Sequence, residues 1–167
     1  MKRFLLVAIS LMILSLFGCA APEPPQWNDS SGYANEYSRY MLDGDSSLSG
    51  QAFLVQRGGA TVKAAGRTVT LDPSTTTGKE YWEKAGRSWV FRTLVPPSPE
   101  FNKARRITTA DAEGRFSFKN IPAGSYFVRS SVTWHVPDIG IQGGIVGKPV
   151  EVKEGQNTEV VLGDFAI

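Results

Sequence analysis

Between residues 48 and 162, apolar and polar positions alternate in short runs that Gly, Pro, Asn and Asp interrupt about every ten residues. Period-two alternation bounded by turn residues is the pattern of half-buried strands, because successive side chains on a strand point to opposite faces. It predicts seven strands, at residues 50–56, 67–71, 105–109, 115–119, 125–135, 146–153 and 158–162. The clearest run places Phe116 and Phe118 on one face and Arg115, Ser117 and Lys119 on the other. In the next run Tyr126, Val128, Val132 and Trp134 share a face. Seven short strands with frequent turn signals imply an all-β, Ig-like sandwich.

Three segments break this rhythm. Residues 33–42 place Tyr33, Tyr37, Tyr40 and Met41 on one side of a short N-terminal helix. A longer insertion, residues 74–104, stands where a sandwich needs only a turn. Residues 79–87 have helical spacing, and Pro96, Pro97 and Pro99 stop its continuation. The insertion is thus partly helical and carries Tyr81, Trp82, Trp89 and Phe91. Two roles are open to these rings: stacking on sugar rings or docking a protein, or folding back to cap the sandwich core. In the third segment, Gly140, Gly143, Gly144 and Gly147 read as a loosened loop between two strands.

The most regular stretch is residues 108–129, TTADAEGRFSFKNIPAGSYFVR. Asp111 and Gly114 supply a β-turn, 115–119 a strand, and Asn120 to Gly124 a second corner. The set Thr108 or Thr109, Asp111, Gly114, Phe116, Phe118, Ile121-Pro122-Ala123-Gly124 and Tyr126 resembles the carboxypeptidase regulatory-like domain. That resemblance implies a transthyretin-like (prealbumin-type) Greek-key sandwich over residues 48–162, with Gly50, Ala60-Thr61-Val62, Val69-Thr70-Leu71, Val150-Glu151-Val152 and Val160-Val161-Leu162 in its outer strands. Shared residues of this kind make turns and core, so they speak to fold and hardly to function.

The N-terminus changes the picture of where the protein works. Met1-Lys2-Arg3 precedes an apolar run, residues 4–17, interrupted by Ser10 and Ser15. As a helix it would rise about 21 Å against a hydrocarbon core of about 30 Å, which suits a secretory signal better than a spanning helix. Leu16, Gly18 and Cys19 resemble the lipobox of bacterial lipoproteins, although Phe17 departs from the usual small or β-branched residue. The resemblance implies cleavage before Cys19 and its acylation, palmitate included; Ala20 in the next position implies sorting to the outer membrane, on its periplasmic face. The organisation is then a signal peptide at 1–18, a Pro-rich tether with the short helix at 19–47, and the sandwich at 48–167 with its insertion. Losing Lys2 and Arg3 cancels the formal charge of +2. A neutral mature chain does not suit a nucleic-acid partner.

Little in the chain reads as catalytic. Cys19 is the only cysteine and His135 the only histidine, so a multi-histidine zinc site cannot be built. His135 sits at a predicted strand end, with no G-x-S-x-G elbow to serve. Asp43-Gly44-Asp45-Ser46-Ser47 begins like a calcium loop but has Leu48 where the glycine is required. Lys103, Arg105 and Arg106 read as a solvated loop or strand edge. What remains is a lipid-anchored, non-catalytic envelope protein without cofactors, which binds or assembles with an envelope protein; a carbohydrate-binding module is the rival reading.

Overall fold

The architecture follows from one strand that others flank on both sides. In the structure, a computed structural model that describes residues 34–83 and 98–163, β1 (Ser46–Val55) is the centre of the first sheet. Its first half pairs antiparallel with β5 (Arg115–Ile121), and its last three residues with β2 (Thr61–Lys63). Along the opposite edge runs β8 (Asn157–Leu162), parallel to it. The second sheet has the order β4-β3-β6-β7, made of β3 (Thr68–Pro73), β4 (Arg106–Thr109), β6 (Gly124–Val136) and β7 (Gly140–Val152). The two-sheet β-sandwich expected from the alternation is therefore the fold of the chain. The signal segment, Cys19, the Pro-rich part of the tether and Tyr33, and Trp89 and Phe91 of the insertion, lie outside the described residues.

Beyond shifts of one or two residues, the strands differ from expectation in three places, each for a physical reason. β2 is an eighth strand, too short for its alternation to register, at the Ala60-Thr61-Val62 stretch that the family resemblance picks out. β1 begins at Ser46, inside the expected tether, because Asp45 and Ser46 are pinned to the turn before β8: Gly155 N donates to Asp45 Oδ1 at 3.1 Å and to Ser46 Oγ at 3.0 Å. β7 begins at Gly140, so the four glycines stand in a strand and not a loop. The reason is steric. A Cβ on Gly143 would lie 2.1 Å from the Val132 carbonyl oxygen, and one on Gly147 would lie 2.9 Å from the Trp82 ring. Glycine here allows close approach within a continuous ladder from Gly124↔Val152 to Val136↔Gly140.

The core lies between the sheets. Leu48, Ala52, Val69, Leu71, Val128, Val132 and Val146 are fully buried, and Phe116, Phe118, Val160 and Leu162 close the stack. The strand alternation thus appears as burial: Phe116 and Phe118 face inward while Arg115, Ser117 and Lys119 are exposed. The regular stretch 108–129 works as a fold signature. Asp111 Oδ1 accepts from the Glu113 and Arg115 amides, both at 2.8 Å, which forms the first turn. At the second corner the Tyr126 hydroxyl donates to the Pro122 carbonyl at 2.7 Å, the back-bond of a tyrosine corner. Burial pushes the Tyr126 phenol pKa up, so it stays a neutral donor.

The short helix before β1 is a 3-10 helix, Ala34–Met41, whose buried Tyr37 and Tyr40 reach the core as its spacing predicts. The insertion supplies α1 (Thr76–Tyr81), capped by Thr75, and α2 (Pro99–Ala104), capped by Ser98 with Pro99 at its first turn. The first helix starts at Thr76 rather than 79, because Thr75 accepts from Gly78 N. Glu36 ties the 3-10 helix to it, accepting from the Thr76 and Thr77 amides at 3.0 and 2.9 Å. Burial alone would raise the Glu36 pKa; the Thr77, Thr75 and Thr76 hydrogen bonds outweigh it and hold the carboxyl below its ordinary value.

Candidate functional site

Three adjacent strands of the first sheet turn one set of side chains outward. On β1 these are Ser47, Ser49 and Gln51, because Leu48 and Ala52 are taken by the core. Register then sets their neighbours. Ser49 stands opposite Ser117 and Gln51 opposite Arg115 on β5, while Ser47, Ser49 and Gln51 lie beside Asn157, Glu159 and Val161 on β8. The result is a shelf with uncharged hydrogen-bonding groups in the middle, Arg115 and Lys119 on one margin and Glu159 on the other.

Within the shelf the amide of Asn157 organises two hydroxyls. Its Oδ1 accepts from Ser47 Oγ at 2.9 Å, and its Nδ2 donates to Ser49 Oγ at 3.0 Å. Gln51 Nε2 donates to the Glu113 carbonyl at 2.7 Å, which fixes its orientation. Two open concavities meet at Ser49. One, of about 380 Å³, lies over Ser49, Gly50 and Gln51 between Arg115 and Glu159; the other, of about 480 Å³, runs past Ser47 and Ser117 to Lys119, Asn120 and Asn157. Such a surface offers donors and acceptors in alternation and no enclosed apolar chamber. It suits an extended, hydroxyl-rich ligand better than a small apolar one.

The residues singled out from the insertion belong elsewhere. Tyr81 and Trp82 are 4% and 5% exposed, so the structure gives them the core-capping role and corrects their assignment as binding rings. Trp82 stacks on Phe127 with centroids 4.7 Å apart and planes 6° from parallel, on the outer face of the second sheet. Tyr81 packs on Phe101 at 4.6 Å. Both rings close apolar surface that a sandwich face would otherwise expose, which outweighs any benefit of presenting them to solvent.

Arg105 likewise departs from the solvated loop expected of it. Its guanidinium forks onto Asp72, Nε to Oδ1 at 2.5 Å and Nη2 to Oδ2 at 3.1 Å, and Asp72 is 1% exposed. Arg129 Nε lies 3.6 Å from the same carboxylate. The Arg105 side chain also covers the rings of Phe101 and Tyr81. Burial alone would lower its pKa, but Asp72 outweighs that and raises it, so the charge is held.

His135 is exposed on β6, on the opposite sheet from the shelf, and no shelf serine can use it as a base. Among the described residues there is no group of three or more His, Cys, Asp or Glu placed to hold a metal ion, and no helix long and apolar enough to cross a membrane. The expected calcium-like start is spent on structure, with Asp45 accepting from Ser46 and Gly155.

Sequence reasoning found the outward side of β5 but missed Ser47, Ser49, Gln51, Asn157 and Glu159. A period-two polar pattern is present on β1 and β8, yet only the pairing of strands far apart in sequence joins them into one surface.

No protein-family model matches the chain, and no curated protein matches it. Among solved structures, a Pseudomonas aeruginosa protein described as a "putative carbohydrate binding protein" is similar at 30% sequence identity and a TM-score of 0.67, over 78% of this chain and 95% of that one. The major pilin subunit of Bacillus cereus matches at 13% identity and a TM-score of 0.41, over 73% of this chain and 29% of its own. The minor pilin of Streptococcus agalactiae matches at 12% and 0.39, over 73% and 44%. The two pilin scores are too low to carry an argument.

Proposed function

The chain belongs to the same family as that Pseudomonas aeruginosa protein, and from this premise we propose that it is a non-catalytic, glycan-binding module of the cell envelope. Its binding surface is the shelf on β1, β5 and β8. The observation that carries this reading is the side-by-side array of Ser47, Ser49, Gln51, Ser117 and Asn157 on an open face. Sugars present vicinal hydroxyls that both donate and accept, and serine hydroxyls with an oriented amide answer both needs. Binding by such exposed groups is shallow and additive, each hydrogen bond contributing about 0.5–1.5 kcal/mol.

Asn157→Ala tests it. The variant removes the group that orients Ser47 and Ser49 and leaves the core untouched. Calorimetry with the glycans selected by the wild-type chain on an array should show affinity weakened about tenfold, equivalent to ~1.4 kcal/mol. Unchanged affinity would move the site off the shelf.

A protein-assembly role is the second reading. It is favoured by Ile139 and Ile141, 70% and 63% exposed at the tip of the β6–β7 hairpin. Crosslinking that recovers one defined envelope protein, and loses it on Ile141→Ser but not on Asn157→Ala, would support assembly instead.

In either role Cys19 is the proposed attachment point, acylated and held at the periplasmic face of the outer membrane. Several acyl chains at about 0.8 kcal/mol per buried methylene hold a protein far more firmly than one. Cys19→Ser should abolish fatty-acid labelling and release the chain from membranes; labelling that persists would refute the anchor.

A further inference from the structure

The shelf is not electrically even. Arg115 and Lys119 are both exposed on β5, and neither has an ion-pair or side-chain hydrogen-bond partner among the described residues. Nearby, Lys63 pairs with Glu113, while two carboxylates accept from uncharged groups, Asp111 from the Glu113 and Arg115 amides and Asp45 from Ser46 and Gly155. Among the described residues, Glu159 on β8 faces the shelf with no ion-pair or side-chain hydrogen-bond partner. It lies across β1 from β5, about 10 Å away at two strand spacings. The β5 margin is thus a line of two cations without ion-pair partners, with Ser117 between them.

From this, and resting on the glycan reading above, we propose that the ligand is a polysaccharide bearing carboxylates, bound along β5 with acidic groups at Arg115 and Lys119. The Arg115 fork matches a carboxylate bidentately, while Lys119 acts as a point charge. Four residues of strand separate the two by about 13 Å. No single sugar ring touches both, so the occupant is a chain, whose intervening hydroxyls meet Ser117, Ser49 and Gln51. On the β8 side Glu159 repels further anions and accepts hydrogen bonds from hydroxyls, which orients the uncharged edge of the chain. Because both cations are exposed, their attraction is screened over about 8–10 Å at ordinary salt and weakens as salt rises.

The test uses the full chain with short oligomers of galacturonate, mannuronate and hyaluronan, each beside its monomer and its carboxyl-reduced counterpart. At least one acidic oligomer should bind, its monomer should bind at least tenfold more weakly, and carboxyl reduction should weaken binding at least fivefold. Arg115→Gln with Lys119→Gln should lower affinity for that oligomer about tenfold and flatten its salt dependence. Reduced oligomers binding as well as acidic ones, with the double variant unaffected, would overturn the charge inference and leave the glycan reading standing. An array on which no glycan, acidic or neutral, binds would overturn both.

Discussion

Replacing Asp72 with alanine should destabilise the protein by about 3–5 kcal/mol, the range for removing one partner of a buried ion pair. Asp72 stands on β3 at 1% exposure and receives both forks of Arg105, with Arg129 beside it. Alanine leaves two cations without the carboxylate that both of them face, one of them packed over the Phe101 and Tyr81 rings. The measurement is urea unfolding with the m-value held as a control for two-state behaviour. For a domain of this size the melting temperature should fall on the order of 10 °C. A second variant separates the worth of the pair from the cost of an orphaned charge. Asp72→Leu combined with Arg105→Met and Arg129→Met replaces the whole cluster by apolar volume, and should recover most of the loss, since such replacements are often neutral or stabilising. A loss below about 1 kcal/mol in Asp72→Ala, as for a surface pair, would show that the cluster is solvated in the native state.

This cluster also shows where sequence reasoning reaches its limit. Local composition, with Lys103 and Arg106 as neighbours, places Arg105 in a solvated basic patch. Arg105 caps the end of α2, and its environment is decided by Asp72, on β3, and by Tyr81 and Phe101, in the two helices of the insertion. Strands whose pattern is local were legible: Phe116 and Phe118 against Arg115, Ser117 and Lys119 survive intact, and so does the face of Tyr126, Val128 and Val132. The amino-terminal half of β7 was not, because Gly140, Gly143 and Gly144 carry no side-chain alternation and resemble a loop until Val132 and Trp134 are seen to need the space. The shelf was half legible. Alternation says which side chains point out, but the parallel pairing of β1 with β8 brings Ser47 beside Asn157 from the far end of the chain, and no periodicity announces it.

The insertion aromatics give the second large effect, because their two possible roles predict opposite outcomes for one substitution. Trp82→Ala should cost about 3–5 kcal/mol, as for truncating a large buried aromatic ring. The indole lies flat on Phe127 and over Gly147, where the absent Cβ admits it, so alanine uncovers Phe127 and leaves a gap that the continuous ladder of β6 and β7 cannot close. The same variant should bind glycan like the wild type when measured well below its midpoint, because the shelf lies on the other sheet. Thermal unfolding and calorimetry on one preparation read both quantities. Stability retained with binding lost would return Trp82 to a ligand site on the second sheet and remove the shelf from consideration. Stability lost with binding retained separates the two faces: Trp82 then serves to cover Phe127 on the second sheet, and ligand contact lies away from it, as the shelf on the first sheet requires.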